Sequence, residues 1–131
     1  MSKPSKLTVL VVDDSTATRA LVCASIAEAY TAETYEAATG FEALKLLPLH
    51  PFSLVVSDVN MPEINGLELV RMVRGNPRYT SVPVLLMSTD ANDANREKWM
   101  RIGAAELLAK PFDPATLIEA IRRILPEGGH G

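Results

Sequence analysis

The chain has 131 residues, enough for one domain over 1–131 with a single well-filled core. A hydrophobic content of 47% and a net charge of −3 are ordinary for a soluble globular protein and give no basic footprint for nucleic acid. The single cysteine excludes an internal disulfide, and no apolar run is long enough to span a bilayer. We therefore expect a cytoplasmic domain that binds neither nucleic acid directly nor membrane, with its core at about 7–125 and flexible ends at 1–6 and 126–131.

The first predicted elements are a buried strand and an amphipathic helix. Leu7–Val12 is an apolar run interrupted only by Thr8 and rich in β-branched residues, which is typical of a strand covered on both faces. Two aspartates follow, and Asp14 or Ser15 is a good N-cap for a helix that runs to about Ala29. The apolar spacing predicts that this helix buries a face formed by Thr18, Leu21, Val22, Ile26 and Ala29.

The middle of the chain predicts two more strands separated by a short helix. Ala32–Tyr35 is short and alternates with polar residues, as an edge strand does. A helix is predicted from Gly40 to Leu47. Ser53–Val59 is predicted to be a central strand, and it carries Asp58 at the start of a turn-rich segment.

The same alternation continues to the end of the chain. The predicted elements are a helix from about Gly66 to Gly75, a strand at Val82–Met87, a helix at Asp93–Ile102, a strand at Glu106–Ala109 and a helix that follows Asp113 and Pro114. Five strands that alternate with five helices through short loops indicate an α/β protein with a parallel sheet and helices on both faces.

Polar side chains stand at the C-terminal ends of four of these strands, namely Asp13, Asp14, Asp58, Ser88, Thr89 and Lys110. Because the C-terminal ends of parallel strands share one crevice, we expect these side chains to meet. Three carboxylates in one crevice repel one another unless a cation offsets them or one takes a proton, and oxygen ligands in a small site suit Mg²⁺. A hydroxyl and an ammonium suit phosphoryl oxygens, and an aspartate can itself become an aspartyl phosphate.

Some of these residues also have a simpler interpretation. Asp13 and Asp14 alone would suit a turn and a helix cap. Ser88 or Thr89 would equally suit a cap of the helix that begins near Asp93.

Five short motifs occur in order along the chain. They are VVDDS at Val11–Ser15, EAATGFEAL at Glu36–Leu44, DVNMPEINGLEL at Asp58–Leu69, PVLLMST at Pro83–Thr89 and KPF at Lys110–Phe112. Each motif alone is weak, but all five at these spacings are specific. On these motifs, Leu7–Leu125 resembles the receiver domains of response regulators in two-component signalling, and most nearly the single-domain chemotaxis regulators. The resemblance implies a (βα)5 flavodoxin-like, doubly wound, five-stranded sheet in the order 2-1-3-4-5.

The resemblance also implies a site. Asp58 would accept a phosphoryl group from a phosphohistidine on a sensor histidine kinase or a histidine phosphotransfer protein. Asp13, Asp14, Asp58 and the backbone carbonyl of Asn60 would hold Mg²⁺. Lys110 would pair with the phosphoryl oxygens.

The remaining residues of the resemblance concern switching. Ser88 occupies the place of the switch hydroxyl, with Thr89 as its neighbour and potential substitute. Asn60 and Asp90 occupy positions that tune dephosphorylation. A cis peptide bond is expected before Pro111.

One position departs from the family pattern. The residue three places before the lysine is usually Tyr or Phe, which rotates inward during switching, and here it is Leu107. In the family, the output face is formed by the fourth helix, the fifth strand and the fifth helix. Trp99, on that fourth helix, is a candidate partner anchor on this face, although packing is the simpler role for both side chains.

The expected function is that of a response regulator, a monomer or weak dimer that modulates a downstream protein and is not a multiple-turnover enzyme. The alternative that Leu107 suggests is a switch-impaired receiver that docks independently of phosphorylation. An aspartyl phosphatase would need a second aspartate where Asn60 stands, and a flavodoxin-like electron carrier would need a glycine after the first strand.

Overall fold

The computed structural model of the chain describes residues 6–125. Within that range the strands are β1 (Leu7–Val12), β2 (Ala32–Ala37), β3 (Leu54–Asp58), β4 (Val84–Ser88) and β5 (Glu106–Ala109). The helices are α1 (Thr16–Ala29), α2 (Gly40–Leu46), α3 (Gly66–Gly75), α4 (Asp93–Ile102) and α5 (Pro114–Ile124), with a 3₁₀ turn at Leu47–Leu49. The predicted flexible tail, 126–131, lies outside the described residues, as does most of the predicted N-terminal end.

The strands form one sheet in the order β2-β1-β3-β4-β5, and every neighbouring pair is parallel. The predicted fold and strand order are therefore confirmed. Every residue of β3 and β4 is buried, as an apolar strand must be when helices cover both faces of a parallel sheet. Between residues 6 and 125, no helix has the length and apolarity needed to cross a bilayer.

Two apolar layers hold the helices against the sheet. Alternate residues of a strand face opposite sides, so Val9 and Val11 join the layer with α1 and α5, whereas Leu10 and Val12 join the layer with α2, α3 and α4. The polar residues at the strand ends lie outside these two apolar layers, and in such folds ligands bind at the C-terminal ends of the strands.

Each of these five helices is preceded by a residue whose side chain accepts a hydrogen bond from a main-chain N–H of the first turn; these residues are Ser15, Thr39, Asn65, Asn92 and Asp113. Such caps stabilise a helix by about 1 kcal/mol each. Of the two predicted caps for α1, the structure selects Ser15. Neither Ser88 nor Thr89 caps α4, because Asn92 takes that place, so this simpler interpretation of the two hydroxyls is wrong.

The predicted inner face of α1 needs correction. Val22 and Ile26 are buried as predicted, but Leu21 and Ala29 are exposed. Ser25 is buried instead, and its hydroxyl donates to the Leu21 carbonyl at 2.7 Å. A serine that satisfies its hydroxyl on its own helix can occupy a position that an apolar pattern assigns to other residues.

Some element ends also differ from the predicted ones. β2 continues to Ala37 because it pairs with β1 along its whole length. β4 begins only after Pro83, which has no N–H to give to a neighbouring strand, and it runs one residue further, to Ser88. α2 ends at Leu46, and the 3₁₀ turn with Pro48 follows it.

Candidate functional site

Three carboxylates meet at the C-terminal edge of the sheet. One oxygen each from Asp13, Asp14 and Asp58 lies within 4.8 Å of the others. Asp13 directly follows β1 and Asp58 ends β3, and these two strands are paired neighbours. Asp13 is 1% exposed and Asp58 is 6% exposed, whereas Asp14 is open to solvent. We call the two buried carboxylates, Asp13 and Asp58, the acidic floor, and Asp14 is the solvent-facing member of the cluster.

Lys110 joins the two buried carboxylates. Its Nζ donates to Asp13 Oδ2 at 2.9 Å and lies 3.2 Å from Asp58 Oδ1. The main-chain N–H of Lys110 donates to the Ser88 carbonyl at 2.9 Å, which continues the β4–β5 pairing to the strand ends. The Lys110–Pro111 peptide bond is cis, as the resemblance implies.

Burial and the attraction between Asp58 and Lys110 shift the pKa of each group in opposite directions. Burial raises the pKa of the Asp58 carboxyl and the negative Asp13 adds to the rise, while Lys110 and the Asn60 N–H oppose it. The net direction for Asp58 is upward, because taking a carboxylate out of water disfavours its charged form. Burial lowers the pKa of Lys110, but its hydrogen bond to Asp13 and the charge of Asp58 outweigh burial and raise it. The lysine is thus held as a cation against the acidic floor.

The donor set fits Mg²⁺. The described residues offer carboxylate oxygens from Asp13, Asp14 and Asp58, and Mg²⁺ binds through one or two carboxylates while keeping several waters. The exposed position of Asp14 leaves room for those waters. A single ammonium does not balance three carboxylates, so a further cation is electrostatically favourable here.

The other predicted site residues lie around this cluster. Ser88 is fully buried, and its Oγ accepts the Asp90 N–H at 2.9 Å. Asn60 is exposed, with its main-chain N–H bonded to the Asp58 carboxylate. Thr89 and Asp90 are exposed, and Thr89 lines a shallow cavity of about 310 Å³ with Leu21, Phe112 and Lys110 among others. A larger cavity of about 430 Å³ lies at the opposite edge of the sheet, far from the acidic cluster.

The structure buries both residues that the sequence places on the possible output face. Trp99 is only 6% exposed and Leu107 only 3%, and both pack in the apolar layer beneath α4. Neither side chain is an exposed partner anchor in this conformation. Packing is therefore the role that the structure gives to both.

An ion-pair network centred on Glu106 links the three elements of that face, α4, β5 and α5. Glu106 Oε1 accepts from Arg96 of α4 at 2.5 Å, and Glu106 Oε2 accepts from Arg123 of α5 at 2.9 Å. The main chain of Leu107 is bound into the same network, because its N–H donates to Glu106 and its carbonyl accepts from Arg96. The network joins α4, β5 and α5.

The Glu106 network predicts a pH-dependent stability. Burial raises the pKa of the Glu106 carboxyl, but the hydrogen bonds from Arg96, Arg123 and Leu107 outweigh burial and hold it below 4.5. A lowered folded-state pKa gives stability that is present above the unfolded-state pKa and is lost as the pH falls through the folded value. We expect Glu106→Gln to lose on the order of 1 kcal/mol at pH 7, a modest figure because both arginines are half exposed and screened.

Urea denaturation of wild type and Glu106→Gln across pH 3–7 measures this effect. The two free energies of unfolding should converge as the pH falls below about 4. A constant difference across that range would show that the glutamate stabilises the fold by packing and not by its charge.

Sequence reasoning missed two contributors to the site. Arg19 lies one turn into α1 and reaches back to the main chain of Asp13. Helical side chains tilt toward the N-terminus of their helix, so an arginine at this spacing after a functional turn is a usable signal. Gly66 packs directly under the Asp58 carbonyl, where an added Cβ would lie only 2.4 Å away. The glycine stands in the DVNMPEING segment, but its role comes from the close packing of the α3 N-terminus against the end of β3.

The chain is similar to a family model and to several known proteins. The family model "Response regulator receiver domain" matches residues 9–122. A chemotaxis protein CheY homolog of Campylobacter jejuni is 33% identical over 120 residues, covering 91% of this chain and 92% of that protein. CheY1 of Helicobacter pylori is 32% identical over 117 residues, covering 88% and 94%. The structure of CheY4 of Vibrio cholerae superimposes with a TM-score of 0.86 at 36% identity, covering 92% of this chain and all of that one.

The motifs, the fold and the relatives of this chain all point to one family. The family model spans nearly the whole described chain, and the relatives match over almost their full lengths. The chain belongs to the response regulator receiver domain family, the receiver module of two-component signalling.

Proposed function

We propose that Asp58 is the phosphoacceptor of this response regulator. The observation that carries the proposal is the contact of Lys110 Nζ with both Asp13 and Asp58 at the mouth of the sheet. In-line phosphoryl transfer needs mainly positioning and neutralisation of charge, and a carboxylate flanked by a fixed ammonium meets both needs.

The transfer joins an Asp58 carboxylate oxygen to phosphorus while the phosphorus–nitrogen bond to a donor histidine breaks. The donor would be a sensor histidine kinase or a histidine phosphotransfer protein. Lys110 is placed to neutralise the phosphoryl oxygens, and it must exchange part of its contact with Asp58 for them. Asp13, Asp14, Asp58 and the Asn60 carbonyl would hold Mg²⁺, which supplies charge neutralisation and orientation of phosphoryl oxygens when bound.

Switching is proposed to pass through Ser88. Its Oγ accepts the Asp90 N–H, so a movement of the hydroxyl toward a phosphoryl oxygen on Asp58 would pull on that hydrogen bond and disturb the loop after β4. The phosphoryl group would in this way shift a pre-existing equilibrium toward a state that modulates a downstream protein. Asn60 and Asp90, both exposed beside the site, are proposed to tune dephosphorylation.

The alternative of a phosphorylation-independent docking module is not favoured. The acidic floor and its lysine are assembled with hydrogen-bonding geometry, which a purely docking protein would not need. We further propose that the protein assists its own phosphorylation and dephosphorylation and is not a multiple-turnover enzyme, since Asn60 stands where a general acid would be required.

Intact-mass analysis after incubation with acetyl phosphate tests the proposal. Wild type with Mg²⁺ should gain one phosphoryl adduct, and chelation of the metal should abolish the gain. Asp58→Asn should gain none, because an amide oxygen is a poor nucleophile toward phosphorus. Asp93→Asn, an exposed site on α4 with the same chemical change, should label like wild type. Labelling of Asp58→Asn at the wild-type level would show that the acceptor is another residue.

A further inference from the structure

We propose that Arg19 is a positioning residue for the metal site, fixing the peptide that joins Asp13 to Asp14 and thereby strengthening Mg²⁺ binding. The inference rests on the proposed function of the acidic cluster. It concerns a residue that lies outside the cluster and offers no metal ligand itself.

The guanidinium of Arg19 is held between two elements. Its Nη1 donates to the Asp13 carbonyl at 2.6 Å, and its Nε donates to Glu36 Oε1 on β2 at 2.8 Å. The Arg19 side chain is only 14% exposed. A planar guanidinium with two short bonds in fixed directions is a rigid brace between β2 and the β1–α1 turn.

The bond to the Asp13 carbonyl matters because of which peptide it fixes. That carbonyl belongs to the planar unit that leads into Asp14, so its direction sets where the Asp14 backbone starts. The Asp13 carboxylate has separate anchors, the Ser15 N–H at 2.8 Å and Lys110 Nζ at 2.9 Å. Asp14 is exposed, so its place relative to Asp13 depends on the peptide that Arg19 holds.

The charge of Arg19 and its positioning role predict opposite changes in Mg²⁺ affinity when the arginine is removed. A guanidinium close to a Mg²⁺ site repels the metal, so electrostatics alone would make binding tighter when the arginine is removed. A brace that sets the ligand geometry has the reverse effect, because Mg²⁺ tolerates little departure from octahedral geometry. Loss of partners outside the coordination shell typically weakens metal binding by about 10- to 100-fold.

Calorimetric titration of the full chain with MgCl₂ separates the two effects. We expect Arg19→Gln to raise the Mg²⁺ dissociation constant by about tenfold. Arg19→Lys keeps the charge but cannot bridge the Asp13 carbonyl and Glu36 with a planar fork, so its constant should fall between wild type and Arg19→Gln. Arg122→Gln removes the same charge from an exposed position near the C-terminal end of α5, and this variant should bind Mg²⁺ like wild type. Thermal unfolding of each variant without metal shows that it is folded.

The outcomes distinguish this inference from the proposed function. A dissociation constant for Arg19→Gln that is unchanged or lower overturns the positioning role and leaves the proposed phosphoacceptor site standing. Should Arg19→Gln fail to unfold cooperatively, Arg19→Lys decides alone, since wild-type binding by that variant overturns the inference. Absence of Mg²⁺ binding in wild type would overturn both the inference and the metal part of the proposed function.

Discussion

Gly66→Ala is expected to lower the free energy of unfolding by about 3 kcal/mol and to slow phosphorylation of Asp58. A Cβ at this position would lie 2.4 Å from the Asp58 carbonyl oxygen and 2.9 Å from Val59 Cα. Both are main-chain atoms, and the Gly66 N–H also donates to the Val59 carbonyl at 3.0 Å. The start of α3 therefore cannot move away from the added methyl group without displacing the end of β3. The acceptor carboxylate stands on that strand end, so the stability loss and the reactivity loss should occur together.

The same helix offers a matched control. At Gly75, the last residue of α3, an added Cβ meets no atom within 4 Å. Gly75→Ala should therefore be neutral or stabilise the protein by up to about 1 kcal/mol, because alanine is the better helix former. Urea denaturation and acetyl phosphate labelling of both variants check the pair. Equal stability of the two would show that the β3–α3 turn can relax in a way the close approach does not indicate.

Lys110→Met is expected to leave the acidic floor without its cation and to cost about 3 kcal/mol of stability at pH 7, roughly 10 °C in Tm. Asp13 and Asp58 are both nearly fully buried and share this one ammonium. The pKa of Asp58, already raised by burial, should rise further when the opposing lysine is gone. A folded-state pKa above the unfolded one gives stability that grows as the pH falls, so acidification toward pH 5 should recover part of the loss.

Mg²⁺ should recover the rest of that loss. In wild type the metal competes with Lys110 for Asp13 and Asp58, whereas in Lys110→Met it meets three uncompensated carboxylates. The increase of Tm on addition of MgCl₂ should therefore be larger in the variant than in wild type. Lys98→Met, which removes an exposed lysine on α4, should behave like wild type in both buffers. A variant as stable as wild type and indifferent to Mg²⁺ would mean that the carboxylates are not ionised together.

The two basic residues near the cluster are thus expected to act in opposite ways. Lys110 lies on the ligand oxygens themselves, so its removal should tighten Mg²⁺ binding at the expense of stability. Arg19 lies on the main chain behind them, so its removal should weaken the binding. Measuring both variants in one titration series places the two effects on a common scale.

Local sequence patterns were sufficient to predict the bounds of several helices and strands. The bounds of α4 and β5 match the predicted Asp93–Ile102 and Glu106–Ala109, and Asn65, Gly66 and Gly75 delimit α3. Capping residues and glycines act within a few residues of the chain, so they can be recognised without knowledge of the fold. Burial on α1 was predicted less well, because Leu21 and Ser25 fit either side of a helix whose apolar pattern is weak.

The class of fold, the order of its elements and the edge of the sheet that carries the polar residues all follow from the sequence alone. Strands that alternate with helices form a parallel sheet, and a parallel sheet places every strand's C-terminal end at one edge. The three-dimensional packing was needed to show that Trp99 and Leu107 are buried, that Glu106 ties Arg96 to Arg123, and that Arg19 bonds both the Asp13 carbonyl and Glu36 on β2. Those contacts join residues on different elements, and their existence depends on strand register and helix rotation, which no local pattern specifies.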